Sequence, residues 1–300
     1  MAKSLLILSE LLPSWQLTMR AERKADRTIK TYTENVENFL KWCDSTTTPA
    51  ELTAPVVQAH IADMLDRGAQ ASTALTRQKA LRRYAAWLVD EGELDTNPLV
   101  GLKPPKQDRK FTESLSDDQL RRLIKACQGK TLRDRRDEAI ARLMIETGLR
   151  ANEVIGLQMA DVDLDRGLAI VRRGKGGKGR MVPFGPQTAA AIDRYIRVRR
   201  THRLSDSGEL WVGARSTKTF KYFGLDKTMR ERARAAGIEG FHLHLLRHTA
   251  ATRWLRAGGS EQGLMAVAGW ANRSMLDRYT GASAAERAAD EARELNLGDL

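Results

Sequence analysis

Thr147-Gly148-Leu149-Arg150-Ala151-Asn152-Glu153 is the junction from which the fold can be read in both directions. Gly148 suits the left-handed cap that ends one helix, and Arg150 opens the next. The helix N-terminus already favours an anion, and a guanidinium there can grip a phosphate through two parallel hydrogen bonds. An exposed arginine near a helix start is common, so this junction acquires meaning only from its neighbours. Upstream, helical spacing predicts helices over 117–127 and 134–147. The first starts at Ser116-Asp117-Asp118-Gln119, an N-cap followed by an acidic first turn. Downstream, 151–158 reads as a further helix.

Beyond it the pattern changes. Val162, Leu164, Leu168, Ile170 and Val171 are strand-like, and Asp165-Arg166-Gly167 forms a turn. Gly174-Lys175-Gly176-Gly177-Lys178-Gly179 forms a second turn before Arg180-Met181-Val182-Pro183, which makes a three-stranded antiparallel meander. Everything after Gly185 reads as helical again. Residues 1–100 read as helices only. Leu5, Leu8, Leu11, Leu12 and Trp15 fall at helical spacing, with Pro13 bending or restarting that segment. Thr28–Cys43 is next, then a helix capped by Thr53 with Pro55 in its first turn, then Ser72–Glu91. Asn97-Pro98 ends this bundle, and Lys103-Pro104-Pro105-Lys106-Gln107-Asp108-Arg109-Lys110 reads as an extended basic linker. The fold class is therefore mainly α with a small three-stranded antiparallel sheet, divided into 1–102, a linker at 103–111, and 112–300.

Composition narrows the partner. The 300 residues carry a net charge of +12. Residues 1–110 hold 16 basic and 14 acidic side chains, residues 111–280 hold 32 and 19, and the last twenty hold 2 and 5. A basic middle segment attracts a polyanion and releases its counterions on binding; a solvated surface with no partner is the plainer alternative. Lys79, Arg82 and Arg83 near one side of the last N-terminal helix, and Lys103 and Lys106 in the linker, can meet phosphates. No run of about 18 apolar residues suggests a membrane span. Cys43 and Cys127, far apart, make neither a disulfide framework nor a metal knuckle, which suits a reducing cytosol.

Two tempting motifs fail on chemistry. The glycine-lysine turn superficially suggests a nucleotide-binding loop, but Arg180 and Met181 follow where lysine and a hydroxyl residue are needed, and the turn lies between strands. His244-Leu245-Leu246-Arg247-His248 spaces two histidines for zinc, but Leu245 stands where a metalloprotease needs glutamate, and no third ligand is near. His242 and His248 are read instead as structural. His244 and Arg247 share one helical face. The last motif, Gly269-Trp270-Ala271-Asn272-Arg273-Ser274-Met275-Leu276-Asp277-Arg278-Tyr279, places a tyrosine near a helix end, where a half-buried core role is the ordinary reading.

Taken together, the order TGLR-x-x-E, GKG-x-K-x-R-x-x-P, HxLRHT, Gly-Trp and a tyrosine ten positions after that glycine resembles the tyrosine recombinases, or phage integrase family. The resemblance covers residues 112–280 strongly; the helices before it are similar in layout to that family's SAM-like core-binding domain. It implies a site-specific recombinase that cleaves and rejoins DNA through a 3′-phosphotyrosyl link to Tyr279. Arg150 and Arg247 match the arginines on the non-bridging oxygens. Lys175 matches the lysine that protonates the leaving 5′-oxygen, His244 a histidine of proton transfer, and Glu153 an acidic support. Trp270 stands where most members have a second histidine. Some members carry tryptophan there, so activity is still expected, although the change argues against the bacterial Xer chromosome-dimer resolvases.

The resemblance further implies no metal or other cofactor and a bacterial cytoplasmic location. It implies double-stranded DNA with inverted core sites as partner, and self-association into a tetrameric synapse. Arg173, Lys178 and Arg180 are further expected DNA contacts, and a helix at about 282–296 is expected to dock on a neighbouring subunit. An integrase of a phage or mobile element is the leading expectation. A Xer-like or transposon resolvase, a type IB topoisomerase and a non-catalytic DNA-binding protein are the alternatives.

Overall fold

The computed structural model describes residues 8–48, 50–107, 114–172, 179–214, 220–270, 272–276 and 293. The chain divides into two compact units, Met1–Lys110 and Phe111–Leu300.

The N-terminal unit holds α1 (Leu12–Ala21), α2 (Asp26–Ser45), α3 (Ala54–Asp66) and α4 (Ala71–Asp90). Pro13 sits in the first turn of α1, where a missing N–H costs nothing, so the helix begins beside the proline and not upstream of it. Thr53 occupies the N-cap position of α3 with extended backbone, but its side chain makes no capping bond. Val36, Phe39, Leu81, Tyr84 and Leu88 are fully buried where α2 meets α4. Each such side chain contributes roughly 1.5–3 kcal/mol of apolar transfer. Trp15 from α1 packs on Tyr84 at 4.8 Å between ring centroids. After α4 the chain returns along it: Gln78 Nε2 donates to the Lys103 carbonyl at 3.0 Å.

The C-terminal unit is built around α6 (Leu132–Thr147), which packs against α5 (Asp117–Cys127), α8 (Pro186–Arg199), α9 (Tyr222–Ala235) and α10 (Leu243–Arg256). Ser116 and Gln119 form a reciprocal capping box at α5. A second box, Thr131 with Asp134, starts α6 two residues earlier than its apolar spacing predicts. Because α6 is covered on several sides, it buries charge: Arg136, Asp137 and Glu138 are each at most 2% exposed. These charges are paired. Arg136 and Arg232 donate to Asp137, and Arg142 and Arg194 to Glu138.

The short α7 (Ala151–Ile155) stops at Gly156, before the expected 158. The meander follows as β1 (Val162–Asp163), β2 (Leu168–Val171) and β3 (Arg180–Pro183), antiparallel in the order β1-β2-β3. Val171 pairs with Arg180 and Ala169 with Val182. The expectation of helix throughout after Gly185 is wrong for 200–214 and for 220–221. There a non-helical segment crosses back, bridging Glu209 to Gln158. It is held by Arg199, whose guanidinium donates to the carbonyls of Leu204, Ser205, Ser207 and Glu209. A buried arginine thus replaces the backbone ladder that a regular element would have supplied. After α10 come α11 (Glu261–Ala268) and a 3-10 turn at Arg273–Met275. Among the described residues, no helix is long and apolar enough to cross a membrane.

Candidate active site

Two left-handed glycines organise the site. Gly148 ends α6 at φ 63°, ψ 21°, as the TGLR junction predicts. Gly269 ends α11 at φ 64°, ψ 48°. Each turns the chain sharply and leaves the last carbonyls of its helix available to donors.

Three arginines from three distant segments take those carbonyls. Arg180 Nε donates to Val267 O at 2.8 Å, Arg247 Nη2 to Ala268 O at 2.8 Å, and Arg150 Nη2 to Gly269 O at 3.2 Å. Arg247 Nη1 also donates to Gly148 O at 2.7 Å, so one guanidinium joins the two helix ends. A helix C-terminus carries partial negative charge, which is why it tolerates three cations in consecutive register. Arg247 is 3% exposed, with its guanidinium carbon 5.3 Å from the centre of the Trp270 ring, a cation–π distance. Trp270 is itself buried, in a small apolar cluster with Leu255, Leu264, Ala268 and Leu276.

Glu153 is the anionic member. Its carboxylate accepts from the Arg150 backbone N–H at 2.9 Å and from Arg150 Nη1 at 2.9 Å. Arg180 grips the same carboxylate through both terminal nitrogens, at 2.9 and 2.8 Å. Burial pushes the Glu153 carboxyl up, but the hydrogen bonds from Arg180 and from the Arg150 backbone, with the charge of Arg180, outweigh it and hold it below its ordinary value. Two guanidinium groups against one carboxylate leave this cluster cationic, and Arg247 adds to it. Such a surface can hold an anion and stabilise negative charge that develops on it.

His244 lies in the first turn of α10, exposed, one turn before buried Arg247. His242 is the N-cap: its Nδ1 accepts from the Leu245 N–H at 3.1 Å, the structural role expected of it. Lys79, Arg82 and Arg83 are exposed on α4, and Lys103 and Lys106 are exposed after it. Arg173, Lys175, Lys178, Tyr279 and, apart from Arg293, the segment 282–296 lie outside the described residues. Among the described residues, no group of histidine, cysteine or acidic side chains is placed to hold a metal ion.

Arg180, expected from the basic hairpin pattern as a DNA contact, has an 11% exposed side chain whose guanidinium is engaged with Glu153 and Val267. The signal was present in the strand period: on β3, Arg180 and buried Val182 lie on the same face, opposite exposed Met181. The run of carbonyls at 267–269 had no sequence signal beyond a glycine at a helix end.

Comparison with known proteins shows the family and the fold. Residues 113–286 match the model of the phage integrase family, and residues 11–92 match the phage integrase N-terminal SAM-like domain. The tyrosine recombinase XerD of Neisseria meningitidis serogroup B is 34% identical over 215 residues, 71% of this chain and 73% of that protein. The tyrosine recombinase XerC of Actinobacillus pleuropneumoniae serotype 7 is 27% identical over 89% of this chain and 87% of its own length. Among solved structures, the XerA recombinase is 29% identical with a TM-score of 0.52, covering 91% of this chain and 93% of that one. The XerH recombinase bound to its palindromic difH substrate shares the fold at a TM-score of 0.74 and 17% identity, over 88% of this chain and 79% of that one.

Proposed function

Because this chain belongs to the phage integrase family, and so is a tyrosine recombinase acting on specific DNA sites, we propose that its reaction runs through Tyr279. The phenol oxygen attacks the scissile phosphorus, an O–P bond forms, and the bond to the 5′-oxygen breaks. The product is a 3′-phosphotyrosyl link and a free 5′-hydroxyl. Reversal by another strand's 5′-hydroxyl rejoins DNA, and the covalent link conserves the phosphodiester energy, so no nucleotide is consumed. Arg150 and Arg247 hold the non-bridging oxygens. His244 takes the phenolic proton, and Lys175 gives one to the leaving oxygen. A phenol with a pKa near 10 needs both an acceptor and a cationic setting. Glu153 orients Arg150, and Trp270, which cannot titrate, braces Arg247 and the segment leading to Tyr279.

The observation that carries this reading is the convergence of Arg150 and Arg247 on adjacent carbonyls, 269 and 268, with Trp270 beside them. Fixed cations of this kind lower the barrier to attack on an anionic phosphodiester without reorganising during the reaction.

The partner in this reading is double-stranded DNA with inverted core sites. Residues 1–102 serve as a core-binding domain through Lys79, Arg82 and Arg83, the linker adds Lys103 and Lys106, and Arg173 and Lys178 follow the backbone near the cleavage point. A lambda integrase tetramer bound to a Holliday junction shares this fold at 15% identity and a TM-score of 0.66. A tetrameric synapse, linked by the 282–296 segments in trans, extends that likeness to this chain, in a bacterial cytoplasm. An integrase of a phage or mobile element is the primary reading. A Xer-like resolvase is the second, favoured by the 34% identity to a XerD protein.

The test is a suicide DNA duplex nicked near the cleavage point. The chain becomes covalently attached through a 3′-phosphate, Tyr279→Phe does not, and chelator leaves the yield unchanged. Arg150→Ala and Arg247→Ala each lower cleavage about 10²–10³-fold while retaining DNA binding. An adduct that survives Tyr279→Phe, or a requirement for a divalent cation, refutes the assignment.

A further inference from the structure

Glu153 is held by two arginines of different standing. Arg150 is 27% exposed and leads α7, and in the proposed reaction it meets the phosphate. Arg180 is 11% exposed and comes from β3, the strand that follows the Lys175 hairpin. We propose that Arg180 is a positioning residue for strand cleavage: from β3 it clamps Glu153, through Glu153 it fixes Arg150 against the scissile phosphate, and its charge keeps that pair cationic. This inference rests on the reading of Arg150 as a phosphate ligand.

The geometry supports each part. Arg180 spends its Nε on Val267 O and both terminal nitrogens on the Glu153 carboxylate, a bidentate fork that a lysine cannot reproduce. Glu153 Oε1 is shared: it accepts from Arg180 Nη1 at 2.9 Å and from Arg150 Nη1 at 2.9 Å. A shift of Arg180 therefore moves the oxygen that orients Arg150. Gly269 closes the other side, since a Cβ there would lie 2.9 Å from the Arg180 guanidinium carbon. One side chain thus ties together β3, the start of α7 and the end of α11, the last two being the segments that carry Arg150 and Trp270.

The charge argument is independent of the geometry. Glu153 and Arg150 alone would form a neutral pair, and a neutral pair is a poor ligand for a phosphate that gains charge in the transition state. With Arg180 on the same carboxylate, Glu153 can orient Arg150 without cancelling it. A merely structural ion pair would stabilise the fold but would not distinguish a charged substrate from a neutral one.

That distinction sets the experiment. Full-length wild type, Arg180→Gln, Arg180→Lys and Arg150→Ala are compared in single-turnover cleavage of nicked suicide duplexes. The duplexes carry either the normal phosphate or an uncharged methylphosphonate at the scissile position; DNA affinity and thermal melting are measured alongside. Arg180→Gln is expected to slow cleavage of the phosphate about 10–100-fold, the range for groups that orient a ligand instead of touching the substrate. DNA affinity stays within about threefold, so the loss is in the chemical step. On the methylphosphonate, where no anionic oxygen needs a guanidinium, the Arg180→Gln and Arg150→Ala deficits relative to wild type both shrink at least about tenfold. Arg180→Lys, which restores charge without the fork, falls between and carries the test if the glutamine variant fails to fold. An equal deficit on both substrates, or wild-type cleavage, overturns the proposal. A loss confined to DNA affinity also overturns it and returns Arg180 to the DNA surface. Normal cleavage by Arg150→Ala would instead sink the underlying reading of the phosphate site.

Discussion

Gly269→Ala puts the arrangement of the site under direct load. Gly269 has φ +64°, and an added Cβ would lie 2.9 Å from Arg180 Cζ and Nη1 and 3.1 Å from its Nε. The left-handed backbone costs an L-residue roughly 1–2 kcal/mol. The guanidinium cannot swing away cheaply, because Glu153 and Val267 hold it on three sides. Crowding of that kind costs about 1–3 kcal/mol more. Gly258→Ala is the control: it too has a positive φ, +77°, but nothing lies within 4 Å of its added Cβ. It should suffer the backbone cost alone. For a unit of this size, roughly 2–4 °C of melting temperature follow each kcal/mol. Gly269→Ala should therefore melt below Gly258→Ala by about 2–12 °C in calorimetry of the full chain. It should also slow cleavage of the suicide duplex, which Gly258→Ala should not. If the two variants melt together and cleave alike, Arg180 yields to the methyl group freely, and the rigid clamp inferred from its hydrogen bonds does not exist.

Glu153→Gln removes the anion between Arg150 and Arg180 and leaves a buried guanidinium without its carboxylate, at a cost of about 3–5 kcal/mol near neutral pH. The Glu153 carboxyl lies below its ordinary 4.5, so its contribution is complete above that value and is lost as pH falls through its folded pKa. The stability gap between wild type and Glu153→Gln, read by denaturant titration, should narrow below pH 4.5; a gap that widens on acidification contradicts this. In the N-terminal unit His60 is 1% exposed, against Phe39 and Trp42, and neither ring nitrogen has a hydrogen-bond partner among the described residues. Burial, reinforced by Arg77, pulls its pKa from 6.5 to about 4. The folded state resists the charged ring, so stability is greatest above pH 6.5 and declines toward pH 4, by about 3 kcal/mol in all. His60→Leu should flatten that decline in urea titrations across the range, and an unchanged slope would exclude His60 as its source.

Local chemistry written in consecutive residues was legible without coordinates. The helix start at Ser116, the left-handed stop at Gly148, the meander between Val162 and Pro183, and His242 as a structural residue each depend on interactions within a few positions of chain. The order of arginine, lysine hairpin, HxxR and tyrosine was likewise sufficient to identify the chemistry, because the reaction demands those side chains whatever holds them.

What lay beyond the sequence was decided by contacts between residues far apart in it. Arg180 looked like a DNA ligand because a basic residue beside a basic hairpin ordinarily faces solvent; its partner, Glu153, is 27 positions away. Arg199 gave no hint that it would hold a non-helical return of the chain, since its partners are backbone carbonyls, which every residue carries. The three carbonyls at the end of α11 are invisible in the same way. Side-chain identity and short-range spacing named the family and the groups proposed for its chemistry. Only the packing of α6, α7, α11 and β3 determined which cations are buried and which partners they take, because burial and pairing belong to the fold and not to any one segment.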